Sequence, residues 1–120
     1  HMSKKETKSN WLSPDYKLWF EQDGDYIFGK GACAILNAIH EEGTITKGAQ
    51  KLGMSYRYAW GVIKKIEKKL DCQLIETFKG GSTGGGGATV TEHGLQLVEI
   101  YTKLDESIKS ILQHAGSFNL

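Results

Sequence analysis

Two helical patterns separated by one glycine fill residues 46–70, and that spacing restricts the fold more than any other feature of the chain. Thr46 reads as the N-cap of a short helix ending near Leu52, with Ala49 and Leu52 turned inward. Gly53 follows, where a tight turn needs a residue that tolerates positive φ. Ser55 caps a second helix in which Ala59, Ile63, Ile66 and Leu70 fall at i, i+4, i+7 and i+11, one continuous apolar stripe. Ala49 and Ala59 are small where the two helices must approach. This order predicts a helix-turn-helix.

The flanking segments extend that prediction. Cys72–Phe78 reads as an outgoing strand and Ala88–Val90 as its return. Between them, Lys79 to Gly87 holds six glycines in nine residues. Such a loop lets backbone N–H groups approach phosphates or a minor-groove floor, and it is expected to order only on binding. Upstream, Leu18–Glu21 and Tyr26–Phe28 read as short aromatic strands around an Asp-Gly turn. Gly29 and Gly31 interrupt the chain, and Ala32, Ile35, Leu36 and Ile39 then mark an amphipathic helix from Ala32 to Glu42, stopped by Gly43. The expected class is mainly α, a winged helix-turn-helix with short β hairpins and a long C-terminal dimerisation helix. Residues 1–10 read as a tag remnant (His1-Met2) and a flexible N-terminus, residues 11–90 as the winged unit, and residues 91–120 as the dimerisation helix and tail.

Thr91 followed by Glu92 is a strong helix start, and the pattern runs to about His114. Within it Leu97, Tyr101, Leu104, Ile108 and Ile111 alternate at spacings of four and three, the seam of a two-stranded coil. A second copy of the chain is the simplest partner for that seam, so a homodimer is expected.

Net charge is only +1, but its distribution is uneven. Between Thr44 and Gly80 there are eight basic residues against three acidic ones, a local +5 that leaves −4 for the rest. A basic segment on a near-neutral chain is the footprint of a polyphosphate reader. Opposite the apolar stripe, the second helix presents Tyr56, Arg57 and Trp60 first and Lys64 and Lys68 later. Base contacts come from the first turns of such a helix and phosphate contacts from its flanks. A lysine run is commonly a solvated face; the adjacent turn, the Tyr-Arg start and the wing favour phosphate here. Trp60 borders the stripe, so it suits bracing the helix as well as touching a base.

Other chemistries find little support. The glycine loop lacks the Gly-Lys-Ser/Thr ending of a nucleotide-binding P-loop and precedes a strand. His40, His93 and His114 with the two cysteines make no zinc spacing, so no metal and no cofactor is expected. No paired carboxylates or Ser-His-Asp order suggest catalysis. Cys33 and Cys72 lie in apolar helical patterns and read as buried free thiols of a reducing cytoplasm. No apolar run reaches a membrane-spanning length, so no membrane association is expected.

Gly53-Met-Ser-Tyr-Arg-Tyr-Ala-Trp60 with Ile63, and Gly80-Gly-Ser-Thr-Gly-Gly-Gly-Gly-Ala-Thr-Val-Thr-Glu-His-Gly94 with Leu97 and Tyr101, resemble the N-terminal domain of the ModE family. These are molybdate-responsive repressors within the LysR-type winged-helix group. The resemblance covers roughly residues 25–112. It implies a homodimer on a partly palindromic operator, with Ser55, Tyr56, Arg57 and Trp60 at the major groove. It places the wing (Lys79, Gly80, Gly81, Ser82, Thr83, Gly84, Gly85) on flanking backbone or minor groove. The family continues into a molybdate-binding domain, whereas this sequence ends at Leu120. It is then either a fragment or a one-domain relative without that control.

The expected function is a sequence-specific, homodimeric, double-stranded DNA-binding transcription regulator of the cytoplasm and nucleoid. Tyr56 and Arg57 read bases, Thr46, Lys47, Lys64, Lys68 and Lys79 hold backbone, and a link to molybdate or tungstate genes is implied by the resemblance alone. Two other readings are an architectural chromatin protein of low specificity and a protein-interaction module; the +5 segment argues against the latter.

Overall fold

The computed structural model describes residues 9–80 and 86–120. In chain order these form β1 (Trp11–Leu12), β2 (Trp19–Gln22), β3 (Asp25–Gly29), α1 (Lys30–Glu42), α2 (Ile45–Lys51) and α3 (Tyr56–Leu70). There follow β4 (Ile75–Phe78), β5 (Gly87–Val90), α4 (Glu92–Ala115) and β6 (Phe118–Asn119). The strands pair antiparallel as β1–β6, β2–β3 and β4–β5.

Helix α1 is the centre. It buries Ala32, Cys33, Ile35, Leu36, Ala38 and Ile39, a stripe broad enough to meet elements on several sides. Ala59, Ile63 and Ile66 of α3 close on the same core, as do Phe28 of the first hairpin and Leu74, Ile75, Ala88 and Val90 at the wing. Gly43 ends α1 at φ 80°, its N–H donating to the Ile39 carbonyl at 2.8 Å. The Asp23-Gly24 turn has both residues at positive φ (52° and 80°), the two-residue geometry that suits the twist of a hairpin.

The cap of α2 differs from expectation. Thr44, not Thr46, is the N-cap, and its hydroxyl accepts the Lys47 N–H at 3.0 Å. Both threonines suit the role chemically. Starting the helix at Ile45 carries that side chain into the core, where it is buried, and this selects Thr44. Gly53 makes the turn to α3 at φ 69°, as its position predicts. The closest helix approach is made by an unexpected residue. A Cβ on Gly48 would stand 3.0 Å from the Ile39 backbone nitrogen, so Gly48 sets the distance between α2 and α1.

Two further differences concern the ends of elements. The outgoing wing strand starts at Ile75 rather than Cys72, and Cys72 is half-buried in the connection after α3. Leu74 drops into the core just before the strand, which breaks the pleat. Cys33 is buried and free, and burial pushes its thiol pKa up.

Helix α4 divides its expected seam. Tyr101 is only 5% exposed; it stacks edge-on against Phe20 and Phe28, and its hydroxyl donates to the Leu18 carbonyl at 3.1 Å. Tyr101 therefore belongs to the chain's own core and is removed from the predicted interface. Leu97 also packs on that core, and Ile108 is half-buried. Leu104 and Ile111 remain exposed, joined by Ile100.

An N-terminal arm runs along α4, which no local pattern announced. The Leu120 N–H donates to the Asn10 carbonyl, Ser13 and Ser117 share a hydrogen bond, and the Tyr16 hydroxyl donates to the Asp105 carboxylate. That last bond pushes the Tyr16 pKa up to about 12; with the Lys109 ammonium it holds Asp105 below the usual carboxylate range.

The glycines Gly48 and Gly61 should respond oppositely to alanine. Nothing lies within 4 Å of a Cβ at Gly61, on α3, so Gly61→Ala should stabilise by about 0.5–1 kcal/mol through helix propensity. Gly48→Ala should instead destabilise by about 1 kcal/mol, because the added methyl meets the α1 backbone. Urea unfolding of both variants measures the difference in sign.

Candidate nucleic-acid interface

Helix α3 leaves the turn with its first residues in the open. The Ser55 hydroxyl accepts the Tyr58 N–H at 3.0 Å, so its oxygen is occupied by capping while its own O–H remains a donor. Tyr56 and Tyr58 are 48% and 60% exposed, and Arg57 is exposed beside them. The buried stripe fixes the roll of the helix and turns Arg57, Gly61, Lys64 and Lys68 away from the core.

Trp60 sits where it can brace the start of α3. It is half-buried, and its ring stacks with Tyr56 at 6.2 Å between centroids and 10° between planes. This stack holds Tyr56 toward the wing. The Lys64 ammonium lies 4.3 Å from the Trp60 ring centre and 2.9 Å from Glu67 Oε1. The other Glu67 oxygen accepts the N–H groups of Leu74 (2.7 Å) and Ile75 (3.2 Å). Burial raises the Glu67 pKa, but the two N–H donors and Lys64 outweigh it and hold the carboxyl below its ordinary value.

A concavity of about 570 Å³ joins three elements on this side. It is lined by Thr44, Thr46 and Lys47 of the α2 start, Gln50, Tyr56 of α3, and Thr77, Phe78, Gly86 and Gly87 of the wing stem. Among the described residues no acidic side chain lines it. The wing docks against the body through a hydrogen bond from the Ala88 N–H to the Gly43 carbonyl at 2.8 Å.

The basic residues of the +5 segment separate by their partners. Lys51 pairs with Glu41 and Glu42, Lys69 with Asp25, and Lys64 with Glu67. Among the described residues Lys47, Arg57, Lys65, Lys68 and Lys79 have no ion-pair partner. The structure thus places Thr46, Lys47, Tyr56, Arg57, Lys68, Lys79 and Gly80 on the exposed surface, with Lys64 already engaged. Gly81, Ser82, Thr83, Gly84 and Gly85 lie outside the described residues.

Three exposed residues at this surface escaped sequence reasoning. Tyr58 sits just before buried Ala59, off the stripe, and that position was the available signal. Gln50 lines the concavity from the last turn of α2. Phe78, 57% exposed, ends a strand with no alternating pattern, and its ring lies where a Cβ on Gly87 would be. Among the described residues no three His, Cys, Asp or Glu side chains are placed to hold a metal ion, and no helix is long and apolar enough to cross a membrane.

Residues 32–95, more than half of the chain, match the bacterial regulatory helix-turn-helix proteins of the lysR family. The chain belongs to that family. Among its curated relatives is the DNA-binding transcriptional dual regulator ModE of Escherichia coli, 37% identical over 71 residues, which are 59% of this chain and 27% of ModE. The molybdenum transport protein ModE of Herbaspirillum seropedicae is 32% identical over 98 residues, 82% of this chain and 34% of its own. The molybdenum-pterin-binding protein MopA of Rhodobacter capsulatus is 35% identical over 95 residues, 79% and 36% of the two chains. The chain therefore spans only 27 to 36% of the length of these relatives. Two solved structures share the fold. The BenM DNA-binding domain in complex with benA site 1 DNA superposes with a TM-score of 0.53 at 22% identity, covering 71% of this chain and 89% of that one. ArgP of Mycobacterium tuberculosis gives 0.54 at 17% identity, covering 72% and 30%.

The Glu67 contacts generate a pH dependence. Because its folded pKa is lowered, ionised Glu67 stabilises the fold fully above the unfolded carboxylate value of about 4.3, and this is lost as pH falls through the lower folded value. Glu67→Gln should therefore lose less stability than wild type between about pH 5 and pH 3. Urea midpoints across that window provide the comparison; parallel curves would deny Glu67 this role.

Proposed function

We propose that this chain is a sequence-specific, double-stranded DNA-binding unit of a transcription regulator that acts as a homodimer. The observation that carries the reading is the acid-free concavity shared by α2, the α3 start and the wing stem, beside the Arg57–Lys68 face. A helix of this width fits a major groove, where base edges are distinguishable. Tyr56 and Arg57 meet base edges, and the hydroxyls of Thr46 and Ser55 with Lys47 and Lys68 hold phosphates. Trp60 keeps Tyr56 in place. The wing, from Lys79 and Gly80 through Gly81, Ser82, Thr83, Gly84 and Gly85, secures the flanking backbone.

The apolar residues that α4 leaves in the open support dimerisation. Ile100, Leu104 and Ile111 are 43%, 44% and 66% exposed along one line of the helix, with Leu97 and Ile108 at its edge. Pairing two copies there buries that line and separates two α3 helices by about one DNA turn, roughly 34 Å. The names of the relatives support control of genes for molybdenum handling. Such a regulator works in the cytoplasm, at the nucleoid.

The deciding experiment is selection of genomic fragments by the purified protein at about 150 mM salt. An inverted repeat shared by the bound fragments supports the reading. Enrichment without a motif would replace it with an architectural role of low specificity.

Two substitutions test the parts. Arg57→Ala should weaken binding to the selected site by about 1–3 kcal/mol and relax preference at one base position; an equal loss on every sequence would reassign Arg57 to phosphate. Leu104→Asp should turn dimer into monomer in sedimentation and weaken operator binding, whereas a mutant that still sediments as a dimer removes α4 from the interface.

A further inference from the structure

We infer that Glu67 is a positioning residue for DNA readout, which withholds the Lys64 charge from phosphate and locks the wing strand to α3. The inference rests on the DNA-binding reading above. One carboxylate meets three donors on two elements: Lys64 Nζ at 2.9 Å, and the N–H groups of Leu74 at 2.7 Å and Ile75 at 3.2 Å. The Glu67 side chain is 10% exposed, against 41% for Lys64. Leu74 and Ile75 are buried where the chain enters β4, so their N–H groups have no easy recourse to water. A single side chain thus joins the helix and the wing, the two elements that face the same concavity.

The consequence for charge is specific. By helical spacing Lys64 belongs with Arg57 and Lys68 on the outward face. Glu67 and the Trp60 ring draw its ammonium aside. A cation already neutralised by a carboxylate of its own chain releases no additional counterion when phosphate approaches, unless that pair first breaks. Phosphate contacts strengthen binding to every sequence alike, whereas base contacts discriminate. Removing one free charge from the helix therefore favours the base contacts of Tyr56 and Arg57 over general adhesion. Lys68 sits one turn further on with no ion-pair partner among the described residues, and it supplies the internal comparison.

The test measures salt dependence of binding to a selected operator and to a random duplex of equal length. Wild type is compared with Lys64→Gln, Lys68→Gln, Glu67→Gln and the Lys64→Gln/Glu67→Gln pair. Lys68→Gln should lower the slope of log K against log salt by about one per protomer, and Lys64→Gln should leave it unchanged. Glu67→Gln keeps an acceptor oxygen for the backbone but frees Lys64. Its slope should steepen by about one per protomer and its random-duplex affinity rise roughly fivefold per protomer at about 150 mM salt, with a lower operator-to-random ratio. The double variant should return to the wild-type slope. A Lys64→Gln slope that falls like that of Lys68→Gln overturns the inference, and so does a Glu67→Gln slope equal to wild type. If Glu67→Gln does not fold, the two lysine variants alone decide. Failure of wild type to bind either duplex would overturn the functional reading itself, and the inference with it.

Discussion

Burial of the α3 stripe against α1 is the contact on which the rest of this molecule depends. Ala59 and Ile63 are fully buried and Ile66 nearly so, facing a core that includes Ile35, Leu36 and Ile39. Each large side chain buried this way contributes about 1.5–3 kcal/mol, so no other roll of α3 competes. Once the roll is set, everything opposite the stripe faces outward, and the first turn stands clear of the body. Gly48 lets α2 close on α1 without displacing it, and the Gly53 turn then aims α3.

The same core also carries the other working parts. The wing stem enters it through Leu74, Ile75, Ala88 and Val90, and Glu67 joins that stem to α3 by hydrogen bonds. The first half of α4 is held by Tyr101 in the cluster with Phe20 and Phe28. The second half leans on the N-terminal arm through Tyr16, and Ser13 ties the same arm to Ser117 just beyond the helix. The proposed DNA face and the proposed pairing face are therefore attached to one rigid centre, which is what a fixed spacing between two half-sites demands.

Much of the fold was legible because its signals are local. The α3 stripe, the Asp-Gly hairpin, Gly43, Gly53, the Ser55 and Thr91 caps and the length of α4 each follow from neighbouring residues. Patterns of residue type at fixed spacing also set Tyr56, Arg57 and Lys68 on the exposed side of α3. Where two residues suited one role, as Thr44 and Thr46 did, the outcome depended on whether Ile45 reached the core.

What stayed hidden depended on partners distant along the chain. Tyr101 has the spacing of a coiled-coil seam, yet Leu18, Phe20 and Phe28 claim it, and periodicity cannot reveal which partner fills a helix face. The β1–β6 pairing links Trp11 with Asn119 and leaves no signal in two-residue strands. Lys64 counts as a cation in any tally of charge, while its partners Trp60 and Glu67 set whether that charge is free. Residue order settles helices, turns and the excess of positive charge, because these arise from neighbours within a few positions. Folding settles which apolar faces are already covered and which charges are already paired, because those are contests among groups that meet only in three dimensions.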